Sequence, residues 1–329
     1  MNKWIRPVSM SLLAALLLFV PLGARAADWP TRPIRIIVPF GASGVTDIVT
    51  RIVFDKVGQQ VGQQMIVDNR PGAGGTIAVD LAVHAPPDGY TFIMADPSGS
   101  LPANVTLYPT LKYDPRKDLT PIAILGTTGA AVTVPASSPP KTLKDLVDLA
   151  KQKPGELTYV SVGNGTPGHL NGELFSRLVG IKAVHVPYRV MSQAVTDMVA
   201  GRVSFWIVPI PGLLQHIKAG EVRALAVAGD TESPDLPGVK TVEELGFGHY
   251  DASTTYALFG PAGTPKEIAQ KLHAEIAKAL KSEVVQDKLR AAGVEPKIGS
   301  PEQVKAMLEE RTPQWADVIK SANIRAEGR

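Results

Sequence analysis

Twice along this chain an apolar strand runs into a glycine turn and then directly into an amphipathic helix, and no other feature limits the fold as much. The first copy reads Ile34-Arg35-Ile36-Ile37-Val38, then Pro39-Phe40-Gly41-Ala42-Ser43-Gly44, then a helix expected from Thr46. Ile48, Val49, Ile52, Val53 and Val57 fall on one face, and Asp47, Thr50, Arg51 and Asp55 on the other. That is the spacing of a helix packed on a sheet. Thr46 is the expected N-cap, and Gly41 and Gly44 let the backbone approach a ligand closely. The second copy reads Leu157–Val162 as strand and Gly163-Asn164-Gly165-Thr166 as turn. Pro167 then opens a helix whose apolar stripe is Leu170, Leu174, Phe175 and Leu178. Thr166 as N-cap with proline next is a strong helix start. Such units leave backbone N–H groups unpaired at the positive end of a helix dipole, which suits an anion. Two of them predict a ligand with an acidic group at one or both ends.

Residues 1–26 read as a cleaved export signal. Lys3 and Arg6 form a basic front, Ser11 to Val20 an apolar middle, and Ala24-Arg25-Ala26 a cleavage site. The apolar run falls short of the ~20 residues a spanning helix needs. Cleavage removes Lys3, Arg6 and Arg25, so the formal charge of +3 falls to 0 and nucleic-acid binding loses its support. With no cysteine there is no disulfide framework and no lipidation site, so a periplasmic protein that is not a lipoprotein is expected.

About 300 residues remain, enough for two domains of ordinary size. Strand-like and helix-like segments alternate, giving an α/β fold with mostly parallel sheets. Turns at Phe40–Thr46, Arg70–Gly75 and Asp96–Ser100 are expected along one sheet rim, where ligands of open α/β sheets bind, although Pro71–Gly75 reads better as a plain tight turn. Thr142 with Asp145, and Thr264-Pro265-Lys266-Glu267, read as capping boxes. Beyond Thr264 the chain reads as helical throughout, with Ile268, Leu272, Ile276 and Leu280 as a buried stripe. The expected division is 27–126 with 252–329 in one lobe and 127–251 in the other, a hinged clamshell with its site in the cleft.

Seven stretches carry a family likeness. They are Trp29–Ile34, Ile37–Phe40, Asn69–Gly75, Pro87–Thr91, Gly163–His169, His185–Tyr188 and Gly260–Pro265. In that order they resemble the Bug family, the extracytoplasmic solute receptors of tripartite tricarboxylate transporters. The resemblance covers essentially the whole mature chain. It implies a monomeric two-lobe periplasmic binding protein of type II, a Venus flytrap, serving membrane permease subunits. It also implies that the Phe40–Asp47 and Asn164–His169 turns hold a small carboxylate, often through bridging waters. The chain departs from the pattern at Gly41–Val45, at Val190-Met191, and at Ser204–Ile210, where the family often carries Asp and Asn. If Phe205, Trp206 and Ile207 line the cleft, an aromatic or medium-chain acid fits better; the alternative is that they are core.

The candidate ligand-binding residues are Phe40, Ala42, Ser43, Thr46, Asp47, Ser98, Asn164, Gly165, Thr166, Pro167, His169 and Arg189. His169 serves either the pocket or a structural hydrogen bond. Arg189 could pair with a carboxylate, but a solvated arginine is the simpler assignment. Asp47 would repel an acid and is expected to cap its helix or orient a water. Gly163–Gly168 matches G-x-G-x-x-G, yet no acidic residue lies near position 183 to hold a ribose. No G-x-S-x-G occurs, and histidines 84, 169, 185, 216, 249 and 273 lack zinc spacing. No catalytic residue, metal or cofactor is therefore expected. Four to six donors at about 1.5–3 kcal/mol each would reach the roughly 8 kcal/mol of micromolar affinity without a cation. Periplasmic sensing, or an enzyme of carboxylate or ester metabolism, are the rival functions.

Overall fold

A computed structural model describes residues 29–326; the export signal read at residues 1–26 lies outside them. The chain opens with β1 (Ile34–Val38), α1 (Val45–Val61), β2 (Met65–Asn69), α2 (Thr76–Val83) and β3 (Thr91–Ala95). α3 (Ser100–Leu107), α4 (Pro115–Asp118) and β4 (Leu119–Thr128) follow, and one glycine later β5 (Ala130–Pro135) begins. Next come α5 (Leu143–Gln152), β6 (Thr158–Ser161), α6 (Pro167–Val179), β7 (Val184–Pro187) and α7 (Met191–Val199). β8 (Trp206–Pro209), α8 (Ile210–Lys218) and β9 (Val222–Ala228) lead to an irregular stretch. β10 (Thr254–Pro261), α9 (Lys266–Leu280), α10 (Glu283–Ala291), β11 (Glu295–Gly299) and α11 (Pro301–Ser321) complete it.

The main sheet has the order β11-β4-β10-β3-β1-β2. β1 lies parallel to β2 and β3, while β10 runs antiparallel to β3 and β4, so β1 to β4 share one direction. In the second lobe β5 lies antiparallel between β8 and β9, and β6 pairs in parallel with β7. A bridge from Tyr159 to Phe205 joins these two groups of strands. Strand directions are thus mostly parallel in each lobe. The exceptions include β5 and β10, on which the chain passes from one lobe to the other.

Alternation along β1 sends Ile34 and Ile36 into a core with α1, α9 and α10, and Ile37 into one with α2 and α11. In the second lobe Val132, Tyr159, Phe205 and Ile207 meet α5 and α6, whereas Val160, Trp206 and Val208 meet α7 and α8. Helices therefore cover both faces of each sheet, the two-lobe α/β arrangement expected from the sequence. Phe205, Trp206 and Ile207 are 3% exposed or less, so they are core and the argument for a greasy cleft lapses. A further apolar cluster crosses the lobes: Leu170 of α6 packs with Ala103 and Leu107 of α3 and with Trp315, Val318 and Ile319 of α11.

Several local expectations change. The Thr142–Asp145 capping box forms, but the Thr264 hydroxyl donates to the Pro261 carbonyl at 2.7 Å, leaving Pro265 as the N-cap of α9. The tail is not wholly helical, because β11 pairs with β4. α11 runs unbroken through Pro313, and the neighbouring Thr312 hydroxyl donates to the Leu308 carbonyl at 2.6 Å. α3, α4 and α8 had no sequence forecast. No helix among the described residues is long and apolar enough to cross a membrane.

Candidate functional site

Between the lobes lies a cavity of about 170 Å³ lined by Phe40, Thr46, Ala95, Asp96, Ser100, Pro167, Thr254 and Tyr256. At roughly 30 Å³ per water it has room for five or six waters, the scale of a compact acid. It touches the starts of α1, α3 and α6 and the carboxyl end of β3, as expected for an open α/β sheet. A 330 Å³ depression beside the lobe crossings is larger, but Asp230, Glu232, Asp235 and Glu295 on its wall suit an anion poorly.

α1 begins one residue before the expected position, with Gly44 rather than Thr46 as its N-cap. The cause is Asp47, whose carboxylate accepts from the Ser43 N–H at 2.9 Å and so fixes the turn. Ser43 takes a left-handed φ of 67° there. Asp47 also accepts from Arg51 and from Asn69, each at 3.0 Å. Burial opposes its charge, but the bonds from Arg51, Ser43 and Asn69 outweigh that and hold the carboxyl below its usual range. Asp47 and Thr50 are therefore buried, not on a solvated face; the Thr50 hydroxyl donates to the Thr46 carbonyl at 2.6 Å. Among the described residues nothing accepts from the N–H groups of Val45, Thr46 and Asp47, and the Thr46 hydroxyl is unbonded too. This helix start is open toward the cavity.

The start of α6 is more occupied. Thr166 is its N-cap as expected, but its hydroxyl donates to the Gly163 carbonyl at 2.7 Å, not to the helix. The Gly163 N–H donates to the Ser161 hydroxyl at 3.1 Å. The Gly165 N–H donates to Nδ1 of His169 at 3.1 Å, so the neutral ring carries its proton on Nε2. The His169 ring stacks on His185 at 3.7 Å between centroids. Burial, with the neighbouring His185, pushes His169 down to about 4, so it stays uncharged at neutral pH. The structural role considered for His169 is the one its geometry displays. The N–H groups of Gly168 and His169 lack acceptors among the described residues, and only Pro167 of this turn lines the cavity.

Asp96, at the end of β3, is buried. Its Oδ1 accepts from the Ser98 N–H at 2.9 Å, the Ser98 hydroxyl at 2.6 Å and the Thr255 N–H at 3.3 Å, and its Oδ2 from the Ser100 N–H at 3.2 Å. Burial outweighs these bonds and pushes its carboxyl above the usual range. Burial likewise takes the Tyr256 phenol up to about 12.

Of the twelve candidates, the fold gathers Phe40, Thr46 and Pro167 around this cavity. Ser98 is turned into the Asp96 network and borders only a 10 Å³ void alongside. Ala42, Ser43 and Arg189 are exposed, and Asp47, Asn164, Gly165, Thr166 and His169 do not line the cavity. Ala95, Thr254 and Tyr256 were not foreseen, and Asp96 and Ser100 were foreseen only within a rim turn. The Asp96–Ser100 turn was readable as part of the rim; Thr254 and Tyr256 were not, since only strand order brings β10 beside β3. No group of His, Asp and Glu among the described residues could hold a metal ion.

Comparison with known proteins bears on this geometry. A sequence model of the family described as tripartite tricarboxylate transporter family receptor matches residues 49–324. Protein BugT of Bordetella pertussis is 32% identical over 314 residues, spanning 94% of this chain and 96% of its own. A protein of R. palustris solved with adipate superposes with a TM-score of 0.75 at 35% identity, covering 91% of this chain and 99% of that one. MatC from Rhodopseudomonas palustris, solved with bound malate, gives a TM-score of 0.73 at 30% identity, covering 88% of this chain and 100% of that one.

Proposed function

Because this chain belongs to the tripartite tricarboxylate transporter receptor family, we propose that it captures a small organic carboxylate between its lobes and delivers it to a membrane permease. The observation that carries this is the interlobe cavity set against the open start of α1, with unpaired N–H groups and the Thr46 hydroxyl beside it. The adipate and malate bound by two structural neighbours support an acid as the guest. In this account Phe40, Thr46 and Pro167 contact the ligand, while the remaining candidates of the two turns shape those helix starts. The lobes divide as 27–126 with 252–329 and 127–251. The protein works as a monomer in the periplasm, behind a cleaved leader and without a lipid anchor. It binds and releases its ligand unchanged, with no cofactor.

A thermal-shift screen of aliphatic mono-, di- and tricarboxylates and aromatic acids, each beside its neutral amide, tests the proposal. Binding to the native state alone raises the melting temperature. Small acids should raise it and their amides should not. A melting temperature that no carboxylate moves would refute the assignment.

A further inference from the structure

The cavity walls are chemically unlike. Toward α1 stand the Thr46 hydroxyl and free N–H groups, which suit a carboxylate. Toward β3 and β10 stand Asp96 and Tyr256, and no lysine, arginine or histidine lines the space. The Thr128 hydroxyl gives its one proton to the Gly293 carbonyl at 3.1 Å, so its contact with Tyr256 at 3.1 Å makes the tyrosine the donor. Tyr256 then has only acceptor capacity left. Asp96 is alike: its carboxylate accepts every hydrogen bond it makes among the described residues, and Oδ2 takes only the Ser100 N–H.

A proton held on Oδ1 does not alter this. A proton on Oδ1 could pass to the Ser98 hydroxyl, which in turn reaches the Ser253 carbonyl at 3.0 Å. Oδ2 keeps acceptor capacity in either state. Capping α3 occupies the Ser98 and Ser100 amides but leaves that oxygen one site short.

We propose that Asp96 sets ligand choice within this site by accepting a hydrogen bond from a hydroxyl or ammonium on the acid's chain. Hydroxy- and amino-carboxylates are then preferred over a plain diacid of equal length, whose second carboxylate would meet Asp96 with no proton between them. The inference rests on the carboxylate-receptor reading given above.

The test is calorimetry at pH 7 on the mature chain with matched probes: succinate, malate, aspartate and methoxysuccinate, the last keeping malate's oxygen without its proton. The five-carbon set of glutarate, 2-hydroxyglutarate and glutamate runs beside it. The hydroxyl or ammonium member should bind at least about tenfold more tightly than the unsubstituted or methylated one, the ordinary worth of a hydrogen bond to a charged group. Asp96→Asn places an amide donor at the same spot and should bring the ratio to about one, with the plain diacid gaining. Methoxysuccinate in the wild type decides the matter even if that variant does not fold. Equal binding of succinate, methoxysuccinate and malate overturns the proposal, as does a donor preference that survives Asp96→Asn. Acids that bind without preference sink this inference alone; if no carboxylate binds, the receptor assignment falls and takes it along.

Discussion

The starts of α1 and α6 look alike in sequence and differ in the folded protein. Each follows a buried strand and a glycine turn. At α1 the buried acid Asp47 reaches back to Ser43, leaving the first three N–H groups without acceptors among the described residues and Thr46 lining the cavity. At α6 the turn closes on itself through Thr166, Ser161 and His169, and the helix then sits hard on the second lobe's core. A Cβ on Gly172 would fall 2.1 Å from the Tyr159 ring, so only glycine permits that seat. In the proposed receptor one helix start would receive the acid, and the other would mainly hold a wall in place. A strand–turn–helix pattern reports that amides are available; which groups claim them is settled by neighbours distant in sequence.

The largest effect should come from Thr46→Asp. An acid is welcome in the first turn of a helix, so folding should survive. Against a bound carboxylate ~4 Å away, however, it costs about 4 kcal/mol at an effective dielectric of 20. Calorimetry should show affinity falling at least about a hundredfold; a loss under tenfold would mean α1 does not hold the acid. Gly172→Ala comes next, lowering stability by about 1–3 kcal/mol through overpacking against Tyr159, as read from urea midpoints. An unchanged midpoint would show that α6 is not anchored there.

The pH response of His169 is of similar size. Its folded value of about 4 lies below the ordinary 6.5, so between these limits the unfolded chain binds the extra proton. Stability from this group therefore rises from pH 4 to 6.5 and is lost on acidification. Asp96, shifted upward, acts in the opposite sense, so the informative quantity is wild type minus His169→Gln. That difference should shrink as pH falls through the window; a flat difference would place the ring outside the hydrogen-bonded stack. Thr166→Ala should do least, costing about 1 kcal/mol of stability for one hydrogen bond and less than about threefold in affinity. A tenfold loss would make the two helix starts equal partners.

Much of the architecture could be read directly from periodicity. The stripe Ile268, Leu272, Ile276 and Leu280 is buried throughout, because a long helix repeats its signal. The Thr142–Asp145 box was readable because both its partners lie within one turn. Thr264 offered the same letters and failed, since its hydroxyl found the Pro261 carbonyl first. β11 carries Pro296 and Lys297 and a mostly exposed face, so only its pairing with β4 identifies it. At the site, Thr46 was placed by a local signal that was wrong in detail, as the N-cap belongs to Gly44. Thr254 and Tyr256 required the antiparallel register of β10 on β3, which pairs Ala257 with Ala95, and no local pattern encodes that.

Leu170, Leu107 and Trp315 form an apolar seam where α6 meets α3 and α11. If the lobes part to release the proposed acid, those side chains are wetted, at a cost of roughly 25 cal/mol for each Å² exposed. In the proposed receptor that greasy contact of α6 with α3 and α11 would lengthen residence alongside the polar grip on the guest. A docking partner that covers those same side chains in the parted state would speed unloading without touching the cargo.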